Sequence, residues 1–220
     1  MAFLLALIEI IVIDLVLSGD NAVVIAMAIQ NLPPEQAKRA AIAGGLGAVL
    51  LRIGFTALAA ELLGIPLLQA IGGVVLFGIA YQLLMAEEAA EAGKPAYTFR
   101  AAVVSIVTAD LVMSLDNILA IGGASHGNLL LLLLGLAISI PLVLWGSTIL
   151  ADWMRRYSIL VYLGAAVIAW TAGSMIVGDP WVAQRLVALP WVSLVVPLLG
   201  ALGVLGLGYW RRPKKSTGAS

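Results

Sequence analysis

Cysteine is absent from all 220 residues, and His126 is the single histidine. Disulfides, thiolate metal sites and iron–sulfur clusters are thereby excluded, and one imidazole builds no zinc or copper cage. Charge is scarce as well: 11% of residues are charged against 62% hydrophobic, with mean hydropathy +1.09. Soluble domains run nearer a quarter charged and half apolar, so the chain reads as a membrane protein. Its 23 glycines include no strand–GxxxxGK[ST]–helix context, which argues against a nucleotide cradle. No basic segment precedes the first apolar run, MAFLLALIEIIVID, and Glu9 and Asp14 lie within it. A cleaved signal or transit peptide would look different, so this run is expected to persist as a spanning helix.

Long apolar runs are what the chain does have. A bilayer core takes about 20 mostly apolar residues per helix. Seven spans are expected, at 3–29, 40–62, 66–86, 101–124, 128–150, 158–178 and 191–210. Their borders carry breakers: Asn31, Pro33 and Pro34 after the first, Gly64 and Pro66 after the second, Asp179 and Pro180 after the sixth. The expected fold is an all-α polytopic membrane protein forming a single membrane domain.

The cations set a direction. Lys38, Arg39, Lys94, Arg100, Arg155, Arg156, Arg211, Arg212, Lys214 and Lys215 all follow odd-numbered spans. Only Arg185 falls on the other side, and Arg52 lies inside span two. The positive-inside rule then puts the N-terminus outside and the basic tail, 211–220, in the cytoplasm. Tyr209 and Trp210 suit the interfacial belt ahead of that tail.

Two stretches repeat. DLVLSGDN begins at Asp14 and DLVMSLDN at Asp110, a shift of 110 − 14 = 96 residues, with six of eight letters the same. Gly54 and Gly72 have counterparts at Gly146 and Gly164, where the shift is 92. A unit of three spans is odd, so its second copy is inverted. Residues 1–86 form the first three-helix repeat and 101–178 the second, joined by the cytoplasmic loop 87–100. The span 191–210 is an extra seventh helix. Transporters use this construction, with the substrate held at the repeat interface near mid-membrane.

The four repeated aspartates fall at that depth, where an ionised carboxylate costs at least about 2.5 kcal/mol. On a regular helix Asp14 faces the same way as Asn21, while Asp20 points about 120° away. A local break at Ser18-Gly19 would turn Asp20 inward and free backbone carbonyls; Ser114-Leu115 makes the second break less certain. Asp14, Asp20, Asn21, Asp110, Asp116 and Asn117 together offer hard oxygen ligands, which suit Mg, Ca or Mn. Ser18 and Ser114 are auxiliary candidates whose hydroxyls can equally bond back to their own helix. Glu9 is a candidate for an outer vestibule, and Arg52 for a structural or gating counter-ion. His126, in the turn HGN, reads as a solvated loop residue. Four aspartates exceed one divalent charge by two, so protons or Arg52 must balance the rest, a basis for coupling.

The segments IDLVLSGDNAVVIAMA at 13–28 and ADLVMSLDNILAIGGAS at 109–125 carry a resemblance. An acidic residue followed by S-x-D-N, repeated in two three-helix halves, resembles the TerC family of integral membrane proteins, most closely its YjbE-type branch. The resemblance covers nearly the whole chain. It implies kinship with the lysine-exporter-like superfamily and a role in metal-ion homeostasis, chiefly manganese efflux across a bacterial inner membrane.

The expectation is a transporter and no enzyme, exporting Mn(II) as cargo with no permanently bound cofactor. Its expected partners are the metal ion and the lipid bilayer, without nucleic acid, and homo-oligomerisation is left open. A cationic amino-acid exporter is the alternative, since carboxylates also hold ammonium groups. An intramembrane aspartyl protease fits less well: SGD at 18–20 approaches its GxGD motif, but position 17 is leucine. A retinal photoreceptor is removed because span 191–210 contains no lysine.

Overall fold

The computed structural model describes residues 2–57, 65–91, 97–124, 129–186, 189 and 191–211. Among them the chain is all helical. The elements are α1 (Ala2–Leu17), α2 (Gly19–Ile29), α3 (Pro34–Ala57), α4 (Leu68–Glu91), α5 (Phe99–Ala124), α6 (Leu129–Arg156), α7 (Ile159–Gly178), α8 (Pro180–Leu186) and α9 (Val192–Arg211). Described helix falls within each of the seven expected spans, with α1 and α2 sharing the first, while 58–62 and 128 lie outside the described residues. Among the described residues four helices, α4, α6, α7 and α9, are long and apolar enough to cross a membrane by length and composition. Of the other long helices, α3 carries Glu35, Lys38, Arg39 and Arg52, while α5 carries Arg100, Asp110 and Asp116.

The break at Ser18 is one residue wide. Its φ of −94° and ψ of 10° leave the helical region, yet Ser18 N still donates to Asp14 O at 2.8 Å. Ala22 N likewise donates to Ser18 O at 3.0 Å, so both carbonyls are engaged. The expected unwound turn with free carbonyls is reduced to a kink, because Gly19 accepts helical geometry and the ladder resumes at once.

Packing is by helix pairs. Helix α4 lies along α7, and α9 packs on α7 while also touching α4 through Gly200 and Gly208. Helix α3 packs on α5, and α1 and α2 pack on α6. The core holds Met27, Leu76, Leu83, Ile106, Met154 and Ile168, all fully buried. The outside is equally apolar, with Leu4, Leu50, Ile71, Trp145, Leu199 and Trp210 exposed, as a lipid-facing surface requires.

Helix α8 was not expected. Its signal is nonetheless local: Asp179 caps it and Pro180 takes the first helical position. Asp179 Oδ1 accepts from the backbone N–H of Trp181 at 2.9 Å and Val182 at 3.3 Å. Its Oδ2 accepts from Ala70 N at 3.4 Å, so one buried carboxylate joins the N-termini of α8 and α4. Asp179→Ala is expected to destabilise the protein by about 1–2 kcal/mol. Thermal unfolding in detergent checks this, with Asp179→Asn retaining most of the effect.

Candidate cation site between the helices

Asp14, on the last turn of α1, is completely buried. One turn separates it from Ser18, whose hydroxyl donates to Asp14 Oδ1 at 3.4 Å. Its other oxygen, Oδ2, accepts from the hydroxyl of Ser139 on α6 at 2.5 Å. Asp110 sits midway along α5, on the face turned toward α2 and α3. Asn21 Nδ2 on α2 donates to Asp110 Oδ1 at 3.1 Å. Because Asp14 and Asn21 are seven residues apart, nearly two turns, the weak kink leaves both on the inner face.

Arg52 of α3 joins the two carboxylates. Its Nη1 lies 2.7 Å from Asp14 Oδ1 and its Nη2 lies 2.6 Å from Asp110 Oδ1. The guanidinium fork therefore ties α1, α3 and α5 at one point. Side-chain exposure is 5% for Arg52, 0% for Asp14 and 14% for Asp110, so Asp110 is the more accessible end. With both carboxylates ionised, one guanidinium leaves a single negative charge uncompensated. Snorkelling of Arg52 along its own helix is not what the fold uses.

Two oxygens at this point have no partner. Asn21 Oδ1 and Asp110 Oδ2 are both buried and accept no hydrogen bond among the described residues. A cavity of about 30 Å³ opens here, lined by Asp14, Ser18, Asn21, Arg52 and Asp110. About 10–15 Å³ measured this way holds one water, so the space suits one or two waters or a bare ion. Apolar Ile25, Ile106 and Leu144 close its walls.

The remaining sequence candidates fall elsewhere. Asp20 does not line the cavity; its Oδ1 accepts from Asn21 N at 2.9 Å, and Thr171 of α7 lies beside its carboxylate. The physical reason is the kink at Ser18, too slight to rotate Asp20 onto the face of Asp14. Ser114 is buried and bonds back to Leu111 O at 3.1 Å, whereas Ser18 bonds to Asp14. Glu9 is exposed on α1. The side chains of Asp116 and Asn117 lie outside the described residues, as does His126. Among the described residues no three His, Cys, Asp or Glu side chains converge. Ser139 was missed by the sequence reading, since a lone serine in an apolar helix carries no signal of its partner.

A second polar contact holds the far end of α2. Arg155 on α6 donates from Nε to Gln30 O at 2.6 Å. Its Nη2 reaches Ile29 O and Leu32 O, each at 3.4 Å, so the helix-end carbonyls are satisfied.

Comparison with known proteins fits this geometry into a family. Residues 1–216 match the integral membrane protein TerC family. The chain belongs to the TerC family. It is therefore an integral, multi-pass membrane protein, and its apolar exterior faces lipid. This TerC protein is 40% identical over 214 residues to the membrane protein YjbE of Bacillus subtilis (strain 168), covering 97% of this chain and 98% of YjbE. It is 31% identical over 178 residues to UPF0053 protein YegH of Escherichia coli (strain K12), covering 71% of this chain but 33% of YegH. Membrane protein YkoY of Bacillus subtilis is 25% identical over 180 residues, with 70% of this chain and 54% of YkoY covered. No solved structure matches the chain.

Proposed function

We propose that this TerC protein is a transporter, not an enzyme, that carries a hard divalent cation through the Asp14–Asn21–Asp110 site. The observation that carries the reading is the pair of buried, unpartnered acceptors, Asn21 Oδ1 and Asp110 Oδ2, at a small cavity. Leaving buried acceptors unsatisfied is costly, and a cation among carboxylate and amide oxygens removes the cost. All-oxygen donors select Mg, Ca or Mn. Manganese, and export as the direction, come from the family resemblance.

Seven crossings in two inverted three-helix repeats, with α9 as the extra helix, complete the proposal. Packing supports it. Exchanging the two halves turns the α3–α5 contact into the α6–α1/α2 contact and leaves α4–α7 unchanged. The paired glycines agree as well: a Cβ at Gly72 would meet Val112 of α5, and one at Gly164 would meet Val23 and Met27 of α2. The basic-residue count supports an N-terminus outside and a C-terminus in the cytoplasm, and a bacterial inner membrane comes from the family resemblance.

The amino-acid exporter is the second reading, since carboxylate and amide oxygens also accept from an ammonium group. The deciding measurement is Mn(II) binding to detergent-purified protein, with Mg(II), Ca(II) and lysine as competitors. Asp110→Asn is expected to weaken Mn(II) binding at least tenfold, and Asp20→Asn by less. Displacement by lysine but not by Mg(II) or Ca(II) would favour the amino-acid exporter. Proton coupling would draw on carboxylates beyond Asp14 and Asp110, since those two alone balance one divalent ion. Manganese flux in vesicles should change with an imposed pH gradient, and indifference to it would remove the coupling.

A further inference from the structure

Arg52 presents the site with its own cation. Its guanidinium lies between Asp14 on α1 and Asp110 on α5, within 2.7 and 2.6 Å, and is almost fully buried. Without it, two carboxylates would face each other in a low-dielectric interior, where like charges repel strongly. In its described contacts the fork uses one oxygen of each carboxylate, both Oδ1. Asp14 Oδ2 is taken by Ser139, while Asp110 Oδ2 and Asn21 Oδ1 stay open beside the guanidinium. The seat is thus filled by a positive group that leaves part of its donor set unused. That is the geometry of a stand-in cation, not of a closed structural ion pair.

We propose that Arg52 is a tethered substitute for the transported cation, seated between Asp14 and Asp110 when cargo is absent and displaced when cargo binds. The proposal rests on the cation-transport reading above. Charge supports the exchange. A divalent ion between the two carboxylates gives local neutrality, whereas the monovalent guanidinium leaves one negative charge, so cargo is favoured over the arm. The seat is never without a cation, and the carrier can return with the arginine in place. The same fork binds helices of both halves, so the arginine-seated form is also a locked form.

Binding affinity reads this directly. Where the arginine-seated form is about nine-tenths or more of the population, its removal raises apparent affinity about tenfold or more. Free Mn(II) is followed by electron paramagnetic resonance during titration of wild type, Arg52→Gln and Arg52→Lys, each purified in detergent. Arg52→Gln is expected to bind Mn(II) at least about tenfold more tightly than wild type. Arg52→Lys should fall between, because an ammonium cannot span two carboxylates as a planar fork does. Adding Asp110→Asn to Arg52→Gln should remove the gain.

A folded Arg52→Gln that binds as wild type does, or more weakly, overturns the proposal while leaving the cation site in place. If Arg52→Gln does not fold, Arg52→Lys decides alone: tighter binding supports the substitute cation and equal or weaker binding overturns it. Absence of Mn(II), Mg(II) and Ca(II) binding in wild type and both variants overturns the transport reading and this proposal with it.

Discussion

Asp14→Ala should lower the stability of the detergent-solubilised protein by about 3–5 kcal/mol, the usual cost of breaking a buried ion pair from one side. The size follows from what is left behind. Arg52 keeps Asp110 but loses its fully buried partner, the Ser18 hydroxyl loses its acceptor, and Ser139 keeps only Leu136 O at 3.4 Å. Arg52, Ser18 and Ser139 are all buried, so the lost contacts leave desolvation costs only partly compensated. Asp14→Asn keeps the shape and an acceptor oxygen and should cost less. A double-mutant cycle with Arg52→Gln separates the pair from its surroundings. The double variant should be less damaged than the sum of the singles, with a coupling of about 0.5–3 kcal/mol. Unfolding in mixed detergent micelles measures all four proteins, and strict additivity would show that the two residues do not interact.

The second large effect is expected at two glycines of opposite helices. A Cβ on Gly173 of α7 would lie 2.5 Å from Pro197 Cα and 2.9 Å from its nitrogen. A Cβ on Gly73 of α4 would lie 2.5 Å from Ala172 O, again on α7. Both obstacles are backbone, so no rotamer change relieves them and the helices must separate. Gly73→Ala and Gly173→Ala should each cost about 1–3 kcal/mol. In contrast, none of the described residues lies within 4 Å of a Cβ at Gly54 or Gly146. Gly54→Ala and Gly146→Ala should instead be neutral or stabilising by up to about 1 kcal/mol, as glycine is a poor helix former. Thermal unfolding of the four variants in one detergent tests the opposite signs. A uniform response would mean that close approach of α4 and α9 to α7 does not hold the bundle together.

Much of the frame was legible before any coordinates. Apolar length, the Pro33-Pro34 and Asp179-Pro180 breakers and the duplicated S-x-D-N segments act through local propensity and hydropathy, which the chain carries residue by residue. Helix ends fell near those signals for that reason, and the Asp179-Pro180 pair even encoded α8, though it was read only as a terminator. Asp14, Asn21 and Asp110 were legible too, because helical spacing and the cost of a buried carboxylate are properties of the sequence itself.

The partners were not legible. Arg52 could have reached lipid headgroups or the aspartates, and only the packing of α3 on α5 puts it between Asp14 and Asp110. Ser139 becomes an Asp14 partner because α6 lies against α1. Asp20 stays off the cavity because the kink at Ser18 is a single residue, a rotation of tens of degrees that no residue pattern specifies. The sequence determined a membrane-embedded helical chain with repeated carboxylates at its heart, since hydropathy and helix period are local. Tertiary structure decided which carboxylates share a cation and which cation they share, since that depends on the faces that close packing brings together.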